Sequence, residues 1–244
     1  MKKRILSILL LCCMVLTLLP TTVLAADGPM DTIPKYDVSI DVYNRTSDIS
    51  IKDSRSYYIY SSVPDKLRDT WAWDKKIFIK GDKTAPHVFI DGVNIKMSPS
   101  SKGPAIELNK KASAYLYFIG KDSTLQGADG RAAIQKNRSE GQLYVLARTG
   151  TTVTCKGGYR AAGIGGSWAI RNIGDSMFNM DMYGHGVNMH FGSQSNPDYW
   201  GGTINATGGE YGAGIGAGSW GHSGHSGNTI HGGAGERLYF YSGT

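Results

Sequence analysis

The chain reads as an all-β solenoid, a single-stranded parallel β-helix with rungs of about 23–30 residues behind an N-terminal strand region. Three observations predict it. Short runs of period two, rich in β-branched and aromatic residues, recur between Gly, Asp, Asn and Ser. Past the leader, no segment keeps a 3.6-residue apolar period over three turns. A small-residue step ending in an aliphatic returns at intervals of 28, 30, 23 and 28 residues.

Residues 1–25 stand apart from the fold. Lys2-Lys3-Arg4 gives a basic start, Ile5 to Leu19 is an apolar run, and Val23-Leu24-Ala25 offers a small-residue cleavage pattern. The run is shorter than the ~20 residues a spanning helix needs, and no second one follows. The expectation is an exported chain without membrane insertion after signal removal, either secreted or held at the cell surface. Cys12 follows Leu9-Leu10-Leu11, without the small residue that lipid modification requires.

Removing the leader leaves Cys155 as the only cysteine, so no intramolecular disulfide is possible and burial must hold the fold. A small buried apolar role is expected for it. The leader also carries three of the 26 basic residues, leaving 23 against 20 acidic ones. That balance argues against nucleic acid. The remaining 219 residues suffice for one sizeable domain. It divides into residues 26–85, an N-terminal strand region or cap, and 86–244, a glycine-rich β-helix. The latter stops at Ser242-Gly243-Thr244 soon after a strand begins, and so reads as incomplete at its C-terminus.

The strand candidates are Tyr57–Tyr60, Lys76–Ile79, His87–Ile90, Tyr115–Ile119 and Gln142–Leu146. The repeated step appears as Gly103-Pro104-Ala105-Ile106, Arg131-Ala132-Ala133-Ile134, Ala161-Ala162-Gly163-Ile164, Gly184-His185-Gly186-Val187 and Gly212-Ala213-Gly214-Ile215. Thr-and-aliphatic segments ending at Gly127, Gly158 and Gly209 precede three of these copies. A unit near 28 residues is too short for a propeller blade and suits one coil of a β-helix. Coils stacked ~4.8 Å apart explain the small residues, which fit where the chain bends sharply.

The ordered motifs resemble the secreted, glycine-rich, right-handed parallel β-helix surface proteins of anaerobic bacteria, a polygalacturonate- and carbohydrate-binding family. They run from Pro86-His87-Val88-Phe89-Ile90-Asp91-Gly92 through Gly103-Pro104-Ala105-Ile106 and Ser123-Thr124-Leu125-Gln126-Gly127 to the two Ala-Gly-Ile-Gly turns. The resemblance spans roughly residues 36–240. It implies an extracellular module that binds acidic plant polysaccharide and calcium without catalysis. Residues 171–200 depart from the family's regular repeats.

Several motifs dissolve on inspection. Gly216-Ala217-Gly218-Ser219-Trp220-Gly221 matches Gly-x-Gly-x-x-Gly, but no helical pattern follows to bind a dinucleotide. Gly221-His222-Ser223-Gly224-His225 misses the last Gly of a hydrolase elbow. His222, His225 and His231, with His185 and His190 a coil or two away, lack an acidic or thiolate ligand beside them, so a solvated turn is favoured over zinc. Calcium is the one cofactor that the resemblance brings in, with Asp82, Asp91, Asp122 and Asp129 as ligand candidates. Local hydrogen bonding explains Asp at these turns equally well.

Polysaccharide is the partner that the side chains favour. Aromatic faces pack on sugar rings and Arg pairs with uronate carboxylates. The substrate-binding candidates are Tyr159, Arg160 and Trp168 beside the first glycine turn, and Trp200, Tyr211 and Trp220 around the second. Alternatives are a structural adhesin or spacer, in which these rings merely cover corners, and a lyase or hydrolase. Catalysis is disfavoured because the acids after residue 140 are widely spread. A ladder of outward rings along one face would speak for sugar binding, and scattered rings for a scaffold. The oligomeric state is open.

Overall fold

Isoleucine sets the frame. In the computed structural model Ile49, Ile77, Ile106, Ile134, Ile164 and Ile215 pair successively in one parallel sheet, each directly above the last. The structure describes residues 33, 35–81, 84–98, 103–109, 111–136, 140–171, 184–222, 230–232 and 235–243, all within the unit Asp31–Thr244. The side chains of 169–171, 220–222 and 230–232 are not among them.

The chain winds through three sheets in turn. The first coil holds β1 (Val38–Asp41) and β2 (Ile49–Ile51), and the second β3 (Ser56–Tyr60) and β4 (Ile77–Ile79). The third has β5 (His87–Asp91), β6 (Ile95–Lys96) and β7 (Ile106–Leu108), and the fourth β8 (Ala114–Ile119), β9 (Ser123–Gln126) and β10 (Ile134–Gln135). In the fifth come β11 (Leu143–Ala147), β12 (Thr152–Lys156), β13 (Ile164–Gly165) and β14 (Ala169–Arg171). The sixth holds β15 (Gly186–Phe191), β16 (Thr203–Thr207), β17 (Ile215–Gly216), β18 (Ser219–His222) and β19 (Ile230–Gly232), before β20 (Gly235–Phe240) opens a seventh.

Three sheets result. Seven strands stack as β1-β3-β5-β8-β11-β15-β20, six as β17-β13-β10-β7-β4-β2, and four as β16-β12-β9-β6. All their pairings are parallel, as a single-stranded β-helix requires. A small fourth sheet, β14-β18-β19, adds the one antiparallel pair among the described strands.

Alternation sends one face of each strand into the core. Tyr57, Val88, Leu116, Val145 and Phe191 form one inward column, and Leu125 stacks under Cys155 in another. Side chains latch the corners between coils. Asp48 accepts from the Lys76 amide, Asn94 from Thr124, and Asp122 from Thr152.

The strands β1 to β4 pair in register with those that follow them. One sequence expectation shifts. The Gly184 step is not a rung between the two strong copies, because Ile164 pairs directly with Ile215. Gly186 and Val187 instead begin β15 in the seven-stranded sheet. Residues 157 and 208 are therefore neighbours in space, one coil apart.

Candidate functional site

The glycine turns build a corner too tight for side chains. A Cβ on Gly158 would lie 1.9 Å from the Ala128 carbonyl oxygen, and one on Gly209 would lie 2.0 Å from that of Gly158. Backbone meets backbone from coil to coil, which is why Gly is repeated there.

Aligning the three copies of the corner gives columns. Asp129, Tyr159 and Glu210 form one, and Gly130, Arg160 and Tyr211 the next. The second column is left-handed throughout, with φ of 71°, 61° and 65°. Glycine adopts this freely, whereas Arg and Tyr there are strained by ~1–2 kcal/mol. The corner keeps these side chains where a Gly would fit better.

Their arrangement is a cluster. The Arg160 guanidinium carbon lies 4.9 Å from the Tyr159 ring centre, 5.1 Å from Trp168 and 5.9 Å from Tyr211. Tyr159 meets Trp168 edge-on at 6.5 Å and 77°. Trp168 packs its ring over Gly130, and its amide donates to the Gly130 carbonyl at 2.9 Å. Tyr159 and Tyr211 remain 41% and 56% exposed, so the cluster faces solvent across three coils. A hydrogen bond to Glu210 raises the pKa of the Tyr211 phenol, keeping it protonated as a donor.

Two buried donors here have no acceptor among the described residues, the Arg160 Nε–H and the Trp168 Nε1–H. One other buried side-chain donor among the described residues shares that state, Arg68 Nε, with Asp65 3.5 Å away. Leaving such groups unpaired costs ~1–3 kcal/mol each.

Of the six residues singled out from sequence, four thus come together: Tyr159, Arg160, Trp168 and Tyr211. Trp200 does not join them. It is 0% exposed and packs 5.0 Å from Tyr117 and 4.8 Å from Tyr199, covering the outer face of the seven-stranded sheet. It has no free ring face for a sugar. Trp220 lies in β18, its backbone paired with Ala169 and His231. Its side chain is outside the described residues.

A ring ladder exists elsewhere, and its form corrects the expectation attached to it. His87, Tyr115, Tyr144, His190 and Tyr239 occupy one outward column of the seven-stranded sheet. Successive ring centres are 4.5, 4.5, 4.4 and 4.6 Å apart with planes nearly parallel. Each interior ring spends both faces on its neighbours, so the ladder holds coils together and offers edges rather than faces.

The calcium candidates divide. Asp82 lies outside the described residues. Asp91 accepts from the Lys121 amide and the Tyr58 hydroxyl, and Asp122 caps Thr152. Asp129 is exposed on the glycine corner. No group of three His, Cys, Asp or Glu among the described residues is placed to hold a metal ion. His222 and His231 are described only by their backbones, and His225 not at all. His190 belongs to the ladder.

Comparison with known proteins returns no match to a family model, a curated protein or a solved structure. The β-helix architecture rests on the strand pairing of this chain itself.

Proposed function

We propose that the chain is an extracellular, non-catalytic carbohydrate-binding module whose site is the corner formed by Tyr159, Arg160, Trp168 and Tyr211. The observation that carries this reading is the Arg160 guanidinium set among the rings of Tyr159, Trp168 and Tyr211, with both tyrosines exposed. A sugar supplies what such a surface wants, apolar ring faces for Tyr159 and Tyr211 and oxygens for the guanidinium. A uronate carboxylate suits Arg160 best, since guanidinium–carboxylate bonds are the stronger kind. Acidic polysaccharide such as polygalacturonate is therefore the proposed ligand, with calcium as a bridging ion.

The test is a glycan array of polygalacturonate, neutral glucans and mannans, with and without calcium, followed by titration calorimetry. Binding to polygalacturonate that is lost in Tyr211→Gly and Arg160→Gly supports the reading. Retention on no glycan removes it. New reducing ends or unsaturated-uronate absorbance would establish a lyase or hydrolase instead.

The ring ladder favours a second reading, a spacer or adhesin whose solenoid projects other domains. It predicts the same stability behaviour and no glycan binding.

A further inference from the structure

Charge around the glycine corner alternates from coil to coil. The strand residues that lead toward it form a column, Lys96, Gln126, Lys156 and Thr207, on the third to sixth coils. Leu125 and Cys155 beside them point into the core, so this column faces outward, with Lys96, Lys156 and Thr207 exposed. Past it run Gly127 and Ala128, Gly157 and Gly158, and Gly208 and Gly209, where the one methyl, on Ala128, is buried. Only backbone therefore separates the column from the corner positions Asp129, Tyr159 with Arg160, and Glu210 with Tyr211. The third and fifth coils contribute cations, Lys96, Lys156 and Arg160. The fourth and sixth contribute neutral Gln126 and Thr207 and the exposed carboxylates of Asp129 and Glu210. Lys75, Lys76 and Lys121 each pair with a carboxylate, whereas Lys96 and Lys156 enter no ion pair among the described residues.

We infer that the ligand is a polysaccharide with a uronate at every second sugar, lying along the solenoid axis across these coils. This rests on the carbohydrate-binding reading of the corner and narrows its ligand. Coils are spaced ~4.8 Å apart, close to the length of one pyranose in a stretched chain, so each coil faces about one sugar. Lys96 and Lys156 then stand two sugars apart, about 10 Å, and each meets a carboxylate. Arg160 shares the fifth coil with Lys156 and so meets the same uronate. The neutral sugars between them offer hydroxyls, which donate to the carboxylates of Asp129 and Glu210. A homopolymer of uronate would instead press a carboxylate against each of those acids, and like charge would oppose it.

Titration calorimetry with oligosaccharides of equal length tests this, with and without calcium. The probes are hyaluronan, the alternating galacturonate–rhamnose backbone of pectin, and oligogalacturonate. Without calcium, an alternating chain should bind roughly tenfold or more tightly than oligogalacturonate. Lys156→Gln should weaken that chain about threefold, the scale of an exposed ion pair. Lys52→Gln makes the same charge change just past β2, in the six-stranded sheet, and should leave binding unchanged. Asp129→Asn combined with Glu210→Gln should strengthen oligogalacturonate binding about threefold or more, a gain that no loss of folding can produce. Oligogalacturonate bound as tightly as both alternating chains, or an alternating chain indifferent to Lys156→Gln, overturns the inference, while loss of binding in Arg160→Gly still upholds the corner. Binding of none of the three probes in either condition overturns both.

Discussion

The Nδ1 of His190 sits 3.1 Å from the hydroxyl of Tyr241, and the same relationship joins His87 to Tyr117 at 2.9 Å. In both cases the tyrosine lies two residues beyond the position paired with the histidine, on the next coil. Each imidazole is thus stacked on one ring and hydrogen-bonded to another, so the ladder ties adjacent coils by polar as well as apolar contact.

That placement makes the last coil sensitive to acid. Burial holds the His190 pKa below its ordinary 6.5, because the charged ring is poorly solvated between Tyr144 and Tyr239. Above 6.5 the ring is neutral in both folded and unfolded chains, and the contribution to stability is fully present. As pH falls from 6.5 through the lower folded value, the unfolded chain takes the proton first and stability declines. Thermal melts between pH 7.5 and pH 5, interpreted by that linkage, should show a falling Tm. The slope should be shallower in His190→Phe.

The left-handed column separates the ligand site from the fold. Arg160→Gly removes the guanidinium and relieves its strained φ of 61°, so the melting temperature should hold or rise. Arg160→Ala keeps the strain and should be less stable than the Gly variant by ~1 kcal/mol. Chemical denaturation of the pair checks the difference.

Glycines at the corner and at an open turn should behave differently. Gly158→Ala drives a Cβ to within 1.9 Å of a backbone oxygen that cannot move aside, and should cost more than ~3 kcal/mol or abolish folding. Gly150→Ala meets nothing within 4 Å and is strained only by its φ of 83°, for a cost of ~1 kcal/mol. Expression yield and urea midpoints should separate the two.

Cys155 should be silent in the folded chain. It is fully buried between Leu125 and Ala206, and burial pushes its thiol pKa far upward. Iodoacetamide should label it only in denaturant. Appreciable labelling under native conditions would mean that the sixth coil opens readily.

Trp200→Ala should damage the fold before the site. Deleting a fully buried indole packed on Tyr117 and Tyr199 should cost ~3–5 kcal/mol, while glycan affinity of the remaining folded fraction is unchanged. Melting curves paired with calorimetry distinguish these effects.

Much of this architecture was legible in local sequence. Ile106, Ile134, Ile164 and Ile215 announce their column because each follows the same small-residue step. Ile49 and Ile77 belong to that column too but lack the step, and so pass as ordinary strand residues. Val187 has the step without the place, since Gly-x-Gly-Val fits any tight bend. Tyr159, Arg160 and Trp168 were legible because one short turn holds them, and Tyr211 because its glycine turn repeats theirs on the next coil. Trp200 was not. Its burial depends on Tyr117, far away in the chain, and nothing beside Trp200 in sequence reveals that partner. The ladder was hidden similarly, because His87, Tyr115, Tyr144, His190 and Tyr239 fall at unequal spacings set by excursions at the corners.

The parallel sheets give the molecule a direction of mechanical weakness. Every ladder of backbone bonds from coil to coil lies along the long axis, so tension between the ends would load the coils in series. Each would peel from its neighbour in turn, as a zipper opens, instead of all shearing together. The coil between Ile134 and Ile164 spans 30 residues, and a released length of that size extends by roughly 100 Å. Pulled from its ends, the chain would yield in discrete steps whose lengths differ from coil to coil, and the ring ladder would stiffen those from His87 onward.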